Sequence, residues 1–266
     1  MNELENKLPR QNWIKNSLGF DSDLYVYQDK TMFNYSVDTI LLGNFVFLSN
    51  HFTNALEIGT NNAALSIFIA ARSEKLHIDA IEIQQQAIQL AKFNVALNEL
   101  DKQINVINAD FNLYWKQFNQ QNQKKYQIIF CNPPFYRFDA SKIKQDISKA
   151  KLIATHEITL NLDELILGCS KIIEQKGFLS LVLPVERCID AFELLRKYNF
   201  EPKRIQFVHP RLQDKAKFVL IEARYQAGWG SHFLPNLYLH DAKDLNNHNY
   251  LPQIKQLYKP IKLNKE

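Results

Sequence analysis

The sequence is poor in cysteine and lacks any spacing that would hold a metal ion. Only three of its 266 residues are cysteines, at positions 131, 169 and 188, and none of them forms a Cys-x-x-Cys pair. The seven histidines are scattered, without a His-x-x-x-His pattern. Because metal sites in proteins need such spacings, we predict no metal site, and we predict cysteines that remain reduced thiols.

Long apolar runs are missing as well. No stretch approaches the roughly 20 apolar residues that span a bilayer, and the N-terminus lacks the pattern of a signal peptide. The chain is nevertheless 46% hydrophobic and 12% aromatic, as expected of a globular protein. Its formal charge of +4 does not repel an anionic partner. We therefore predict a soluble cytoplasmic protein that contacts no membrane, and no obligate protein partner is evident.

Glycine is scarce, with seven in the whole chain. The sequence contains no Gly-x-x-x-x-Gly-Lys, which argues against the phosphate-binding loop of an ATPase. The segment Leu-Glu-Ile-Gly-Thr-Asn-Asn-Ala-Ala at 56–64 reads as a strand, a turn and the start of a helix. Only Gly59 stands where a nucleotide-binding turn usually has two or three glycines, so this segment alone is a weak signal.

Strand and helix patterns alternate through most of the chain. Such alternation predicts right-handed βαβ units and a parallel sheet, closed by a pair of antiparallel segments near the end. We predict strands at 54–59, 77–82, 104–109, 126–131, 178–183, 202–208 and 217–225, and helices at 38–48, 61–72, 84–98, 160–173 and 186–197, with a polar helix or loop at 112–121. Residues 1–30 are predicted to be a polar N-terminal arm, residues 31–225 the main domain, and residues 226–266 an extended tail that packs only locally.

Polar side chains follow four of the predicted strands. Glu57, Glu82 and Asp110 lie at or next to the ends of the first three strands, and Asn132 follows the fourth. A single acid at a strand end is most often a solvated terminus. Since the carboxyl ends of parallel strands meet at one edge, where open α/β sheets bind ligands, the four together predict a binding site.

The stretch Asn132-Pro133-Pro134-Phe135 has its own chemistry. The Asn132 side chain and the Pro133 carbonyl are hydrogen-bond acceptors, and neither proline can donate from its nitrogen. Phe135 adds a flat face beside these acceptors. The stretch is therefore suited to stacking a planar group while accepting hydrogen bonds from its NH2.

These stretches together resemble the class I S-adenosylmethionine-dependent methyltransferases that modify amino groups. The resemblance is carried by Leu-Glu-Ile-Gly at 56–59, Ile-Glu-Ile at 81–83, Asn-Ala-Asp at 108–110 and Asn-Pro-Pro-Phe at 132–135. Within that class the chain is most similar to bacterial and mycoplasmal tRNA adenine-N6 methyltransferases that act beside the anticodon of valine tRNA. Residues 33–43 and 154–157 support this closer resemblance, which covers about 31–225.

The resemblance implies a Rossmann-like fold: a mostly parallel seven-stranded sheet with an antiparallel terminal strand and helices on both faces. It implies S-adenosylmethionine as cofactor and S-adenosylhomocysteine as product. Asn132, Pro133, Pro134 and Phe135 would be catalytic, with Glu82 on the cofactor ribose, Asp110 and Phe111 on its adenine, and Gly59 beside its methionine part. The cofactor set is completed by Asp38, Thr39, Glu57, Asn61, Ile83 and Asn132.

The chain departs from the family pattern in two places. The family's turn is usually Gly-x-Gly-x-Gly, whereas Asn61 and Ala63 replace the later glycines here. Asn61 tolerates a left-handed backbone, so the turn can persist. The aromatic residue of the motif is Phe135 where Tyr is commoner, which removes a hydroxyl group but keeps the stacking face.

Two basic groups are candidates for contact with the tRNA backbone. The first lies in a basic loop and contains Arg137, Lys142, Lys144 and Lys149; the second contains Lys203, Arg204, Arg211 and Lys215. Other functions remain open on the sequence: guanine-N2 methylation of ribosomal RNA, glutamine methylation of release factors, DNA adenine methylation, or a catalytically decayed fold that only binds RNA.

Overall fold

The computed structural model describes residues 12–20, 22–121, 123–133, 160–243 and 246–263. The predicted basic loop, with Arg137, Lys142, Lys144 and Lys149, lies outside these ranges, as do Pro134 and Phe135. The strands are β1 (Trp13–Ser17), β2 (Tyr25–Asp29), β3 (Asn54–Ile58), β4 (His77–Glu82), β5 (Ile104–Asn108), β6 (Tyr126–Cys131), β7 (Ile173–Pro184), β8 (Phe200–His209), β9 (Phe218–Tyr225), β10 (His232–Phe233) and β11 (Leu237–Tyr238). The helices are α1 (Val37–Phe45), α2 (Ala64–Ala70), α3 (Gln85–Leu97), α4 (Phe111–Gln120), α5 (Leu162–Ile172), α6 (Cys188–Lys197) and α7 (Pro252–Leu257).

Strands β3 to β11 form one sheet, in which β10, β8, β9, β7, β6, β3, β4 and β5 follow one another and β11 also pairs with β8. Strand β9 runs antiparallel to β7 and β8, whereas the other pairs are parallel. The predicted fold class is confirmed. The sheet contains two short strands beyond the predicted seven, and its antiparallel strand lies between β7 and β8, inside the sheet.

The central strands are buried on both faces, which explains why their sequences are nearly continuous apolar runs. In β6, Ile128 and Phe130 pack with α1, α2 and α3 on one face. Ile129 and Cys131 pack with α4, α5 and α6 on the other. Because the helices cover both faces, the carboxyl edge of the parallel strands is left as the place where a ligand can enter.

The N-terminal segment is a strand pair docked on α3. The side chain of Asn94, fully buried, accepts from Tyr27 N at 2.7 Å and donates to Tyr27 O at 2.9 Å. Asn98 forms the same pair of bonds with Tyr25, at 3.1 and 2.7 Å. Helix α3 thereby supplies amide groups to the open edge of β2, so that β1 and β2 of the predicted arm are a docked antiparallel strand pair.

The expectation that the C-terminal tail packs only locally is wrong for its described part. Strands β10 and β11 extend the sheet beyond β8. Ile254 is fully buried and Tyr258 nearly so, both within the core on the α1 side. Leu263 N also donates to Arg72 O at 3.0 Å. The tail lacks the periodicity of a long helix, but its few apolar residues cover core surface that would otherwise be exposed.

Candidate active site

An open pocket of about 980 Å³, including the solvent at its mouth, lies at the carboxyl ends of β3, β4, β5 and β6. Of the predicted site residues, the pocket brings together Thr39, Glu57, Gly59, Asn61, Glu82, Ile83, Asp110, Phe111, Asn132 and Pro133.

The turn after β3 holds three residues with positive φ angles: Gly59 at 73°, Asn61 at 50° and Ala63 at 64°. Asn61 is left-handed as the sequence predicted, and its side chain donates to Phe33 O. A Cβ atom added at Gly59 would meet no protein atom within 4 Å. Because Gly59 lines the pocket, this bare backbone leaves room for a ligand to approach it closely.

Glu82 ends β4 and is held by the backbone around it. Its Oε2 accepts from Asn61 N at 2.9 Å and its Oε1 accepts from Gln84 N at 2.8 Å. Burial raises the pKa of this carboxyl above its ordinary value, although these bonds oppose the shift. Each carboxylate oxygen can accept a further bond, so Glu82 is oriented to receive two hydroxyl groups. Ile83 follows it as an exposed apolar surface.

Glu57 also lines the pocket, and its side chain accepts hydrogen bonds from the turn after β3 and from the start of α2. Its Oε2 accepts from Thr60 Oγ1 at 2.6 Å and from Ser66 Oγ. Burial raises the pKa of this carboxyl to about 7. Glu57 therefore ties the turn to the start of α2 and holds a carboxyl group under the ligand space.

Asp110 and Phe111 close the pocket at the end of β5. Asp110 caps α4, with its Oδ1 accepting from Asn112 N at 2.8 Å. Phe111 is buried against α5 at Gly168, where an added Cβ atom would stand 2.6 Å from Phe111 Cε1. The glycine in α5 thus allows the phenylalanine ring to lie in the pocket wall.

Asn132 occupies the end of β6. Its Nδ2 donates to Asp38 Oδ2 at 3.3 Å and lies 3.5 Å from Thr39 Oγ1. Its Oδ1 is buried and accepts no hydrogen bond from any residue that the structure describes. A buried acceptor left without a donor is costly and rare in folded proteins, so this oxygen is available to a ligand that donates a hydrogen bond.

The second predicted RNA-binding group is divided. Arg204 donates to Glu222 Oε1 at 2.8 Å and to Phe45 O at 3.1 Å, and Arg211 is buried and donates to Asp241 O and Asn247 O. Both guanidinium groups hold parts of the fold together, and their contact with RNA stays a prediction.

The two lysines of that group lie near opposite ends of β8. Lys203 lies six residues, or about 20 Å, before the carboxyl end of this strand. Its Nζ donates to Gly228 O and Gly230 O. Lys215 is exposed in the loop after β8, at the same edge of the sheet as Asn132.

Sequence reasoning missed the pocket residues Phe33, Tyr35 and Asn62. The run at 33–36 contributed to the family resemblance without being assigned to the site. Tyr35 donates from its hydroxyl to Ser17 O at 2.8 Å, and burial raises its pKa to about 12. For Phe33 and Tyr35 the signal was therefore present as two aromatic residues just before α1, whereas no such signal marked Asn62.

Within the described ranges, no three His, Cys, Asp or Glu side chains converge as a metal site would require. In the same ranges, none of the helices has the length and apolar character to cross a membrane.

A family model and several known proteins match this chain in sequence. The family model of the methyltransferase small domain matches residues 31–184. A tRNA1(Val) (adenine(37)-N6)-methyltransferase of Christiangramia forsetii is 26% identical over 230 residues, which are 86% of this chain and 91% of the relative. The enzyme of the same name from Aliivibrio fischeri is 31% identical over 187 residues, 70% of this chain and 75% of the relative.

Solved structures share the fold. A protein of Agrobacterium tumefaciens described as a predicted O-methyltransferase aligns with a TM-score of 0.65 at 19% identity, covering 85% of this chain and 98% of that one. A protein described as a putative methyltransferase complexed with SAH aligns with a TM-score of 0.59 at 13% identity, covering 81% of this chain and 56% of that one.

Proposed function

This chain belongs to the methyltransferase small domain family, and from that premise we propose that it transfers the methyl group of S-adenosylmethionine to the N6 amine of adenosine 37 in valine tRNA. The family resemblance seen in the sequence is thereby confirmed. The proposal on the substrate is supported by the relatives' common name and by the amine acceptor at the end of β6.

The observation that carries the proposal is the unpaired oxygen of Asn132. An amino group bound in its plane needs acceptors for both hydrogens before its nitrogen can present a lone pair. Asn132 Oδ1 is one acceptor, and the carbonyl of the neighbouring Pro133, which lines the same pocket, is the second. Holding the amine in this way supplies orientation and favourable electrostatics as the nitrogen becomes positive.

The residues of the pocket fit the cofactor that the family uses. Glu82 would hold the ribose hydroxyls, Ile83, Asp110 and Phe111 the adenine, and Gly59 would admit the methionine part. The open space above Gly59 is the feature that tests this fit, since a side chain there would fill it. When bound, S-adenosylmethionine supplies an electrophilic methyl group, and no residue of the chain needs to form a covalent bond with the substrate.

The tRNA would bring its target amine into the pocket at Asn132 from the side opposite the cofactor residues. The cofactor residues lie on β3, β4 and β5, so the RNA must come over the ends of β7, β9 and β8. The loop between β8 and β9 lies there, three strand spacings or about 14 Å from β6. Its exposed Lys215 and Lys217 are suited to bind phosphates.

Replacing both lysines tests this approach. We expect K215Q/K217Q to bind tRNA more weakly and to lower the slope of log affinity against log salt by about 2, one per lost phosphate contact. The matched control is K124Q/K125Q, which makes the same charge change at exposed lysines before β6, at the opposite edge. Equal effects of the two pairs would argue against a specific surface.

The function itself is tested with labelled S-adenosylmethionine and total RNA from cells that lack the protein, followed by nucleoside analysis. We expect N6-methyladenosine at position 37 of valine tRNA. Asn132→Ala should keep cofactor affinity and lose methyl transfer, whereas the exposed Asn105→Ala should keep both. N2-methylguanosine in ribosomal RNA would overturn the proposal, and cofactor binding without transfer to any RNA would favour a decayed fold.

A further inference from the structure

The side-chain amide of Asn132 has two ends, and only one suits an amine substrate. Its oxygen can accept from an NH2 group, whereas its own NH2 would face the substrate amine as donor against donor. The two ends have nearly the same shape, so packing alone does not decide which one faces the pocket. Some neighbouring group has to set the orientation.

Asp38 is placed to do so. It lies in the first turn of α1, is only 3% exposed, and stands behind Thr39, which lines the pocket. Asp38 Oδ1 accepts from Thr39 N at 2.9 Å and from Ser36 Oγ. Its Oδ2 is left for Asn132 Nδ2, at 3.3 Å. An ionised carboxylate only accepts, so a flipped Asn132 would set oxygen against oxygen.

We propose that Asp38 is a positioning residue that fixes the amide of Asn132 with its carbonyl oxygen toward the target amine. The inference rests on the proposed function, because it assigns the orientation that amine methylation needs. It differs from the role that the sequence suggested for Asp38, which was to bind the cofactor. A buried carboxylate in this position is costly to desolvate, and its hydrogen bond to Asn132 supplies a partner that such a buried group needs.

Asp38→Asn reverses the polarity of this contact. The new amide keeps its oxygen on Thr39 N and Ser36 Oγ, since both donate, and it therefore presents NH2 to Asn132. Asn132 then turns its oxygen toward position 38 and its NH2 toward the substrate. We expect kcat for tRNA to fall on the order of 10²-fold, the effect of losing one oriented polar group at a reaction centre.

A reciprocal exchange tests the polarity directly. Asn132→Asp alone sets two carboxylates against each other and should also lose activity. In D38N/N132D the amide at position 38 donates to one carboxylate oxygen at position 132, and the other oxygen faces the amine. We expect the double variant to be at least tenfold more active than either single variant, which a merely structural role of Asp38 would not produce.

The matched control is Asp29→Asn. Asp29 is also a buried aspartate, and it accepts from Thr31 N at 2.9 Å and Thr31 Oγ1 at 2.7 Å without lining the pocket. The activity of D29N should stay within about twofold of wild type. In D38N the cofactor affinity, measured by calorimetry, should be unchanged.

Three outcomes would overturn the inference: D38N with a kcat near wild type, D38N whose loss is reversed by saturating cofactor, or a double variant no better than the single ones. A wild-type protein that methylates no tRNA adenosine would instead refute the proposed function.

Discussion

We expect the buried carboxyl of Glu57 to make the stability of the protein depend on pH. Glu57 is 3% exposed, and the hydroxyls of Thr60 and Ser66 donate to its Oε2. Burial outweighs these bonds and raises its pKa from 4.5 to about 7. Below pH 4.5 the carboxyl is protonated in both the folded and the unfolded chain. Between pH 4.5 and 7 the folded chain keeps a proton that the unfolded chain has lost, so the free energy of unfolding falls as the pH rises.

The size of this decrease in the free energy of unfolding follows from the pKa shift of Glu57. Each pKa unit corresponds to 1.36 kcal/mol, so the difference between 4.5 and about 7 lowers the free energy of unfolding by about 3 kcal/mol once the pH exceeds 7. Glu57→Gln removes the charge and with it this dependence. We therefore expect the stability of E57Q relative to wild type to increase by about 3 kcal/mol from pH 4.5 to pH 8. The raised pKa of Glu82 acts in the same direction, but it is common to both proteins and cancels in the difference.

Urea unfolding of both proteins at pH 5, 6, 7 and 8 measures this difference. The exposed Glu193→Gln serves as the control, since its stability relative to wild type should stay constant over the same range. A difference between E57Q and wild type that changes by less than about 1 kcal/mol would refute the reasoning, because it would mean that Glu57 is solvated or compensated at high pH.

Three further substitutions test other parts of the structure. Gly59→Ala places a methyl group in the cofactor space at a φ of 73°, so calorimetry should show at least a tenfold loss of cofactor affinity. The left-handed backbone should also cost the alanine variant about 1 to 2 kcal/mol of stability. Unchanged cofactor affinity would contradict the assignment of the site. Ala63→Gly relieves a left-handed alanine but removes a fully buried methyl worth about 0.8 kcal/mol, so urea unfolding should show a net change below about 1 kcal/mol, and a larger loss would mean that the backbone there is unstrained. Arg204→Ala leaves the buried carboxylate of Glu222 without its ion pair and should cost about 3 kcal/mol of stability in urea unfolding. A loss of tRNA affinity with normal stability would instead support the predicted RNA contact of Arg204.

Much of the site was predictable because parallel strands share one edge. Once 54–59, 77–82, 104–109 and 126–131 were recognised as strands, the polar residues that follow them had to converge. The pocket contains Glu57, Glu82, Asp110 and Asn132 as that reasoning required. Strand ends can be read from the sequence because apolar runs stop there, whereas the four residues share one pocket because β6, β3, β4 and β5 are neighbours in the sheet.

The roles of the basic residues could not be predicted in the same way. Arg204 and its neighbour Lys203 look alike in the sequence, yet Arg204 is the cross-strand partner of Glu222 in the β8 and β9 pair. That pairing depends on register, which a sequence without a fixed turn leaves open. Arg211 likewise donates to the carbonyls of Asp241 and Asn247, residues that follow β11, which pairs with β8.

The turn at 59–63 has a left-handed backbone at two positions where the family usually has glycine and this chain does not. The loss of two glycines encouraged the idea of a decayed cofactor site. The backbone nevertheless keeps the left-handed conformation at Asn61 and Ala63, where the asparagine side chain bonds to Phe33 O and the alanine methyl is buried in the core. At Gly59 an added side chain would point into the ligand space. The one position in this turn where a bare backbone matters for the ligand has thus retained its glycine, so the substitutions at 61 and 63 are no evidence against cofactor binding.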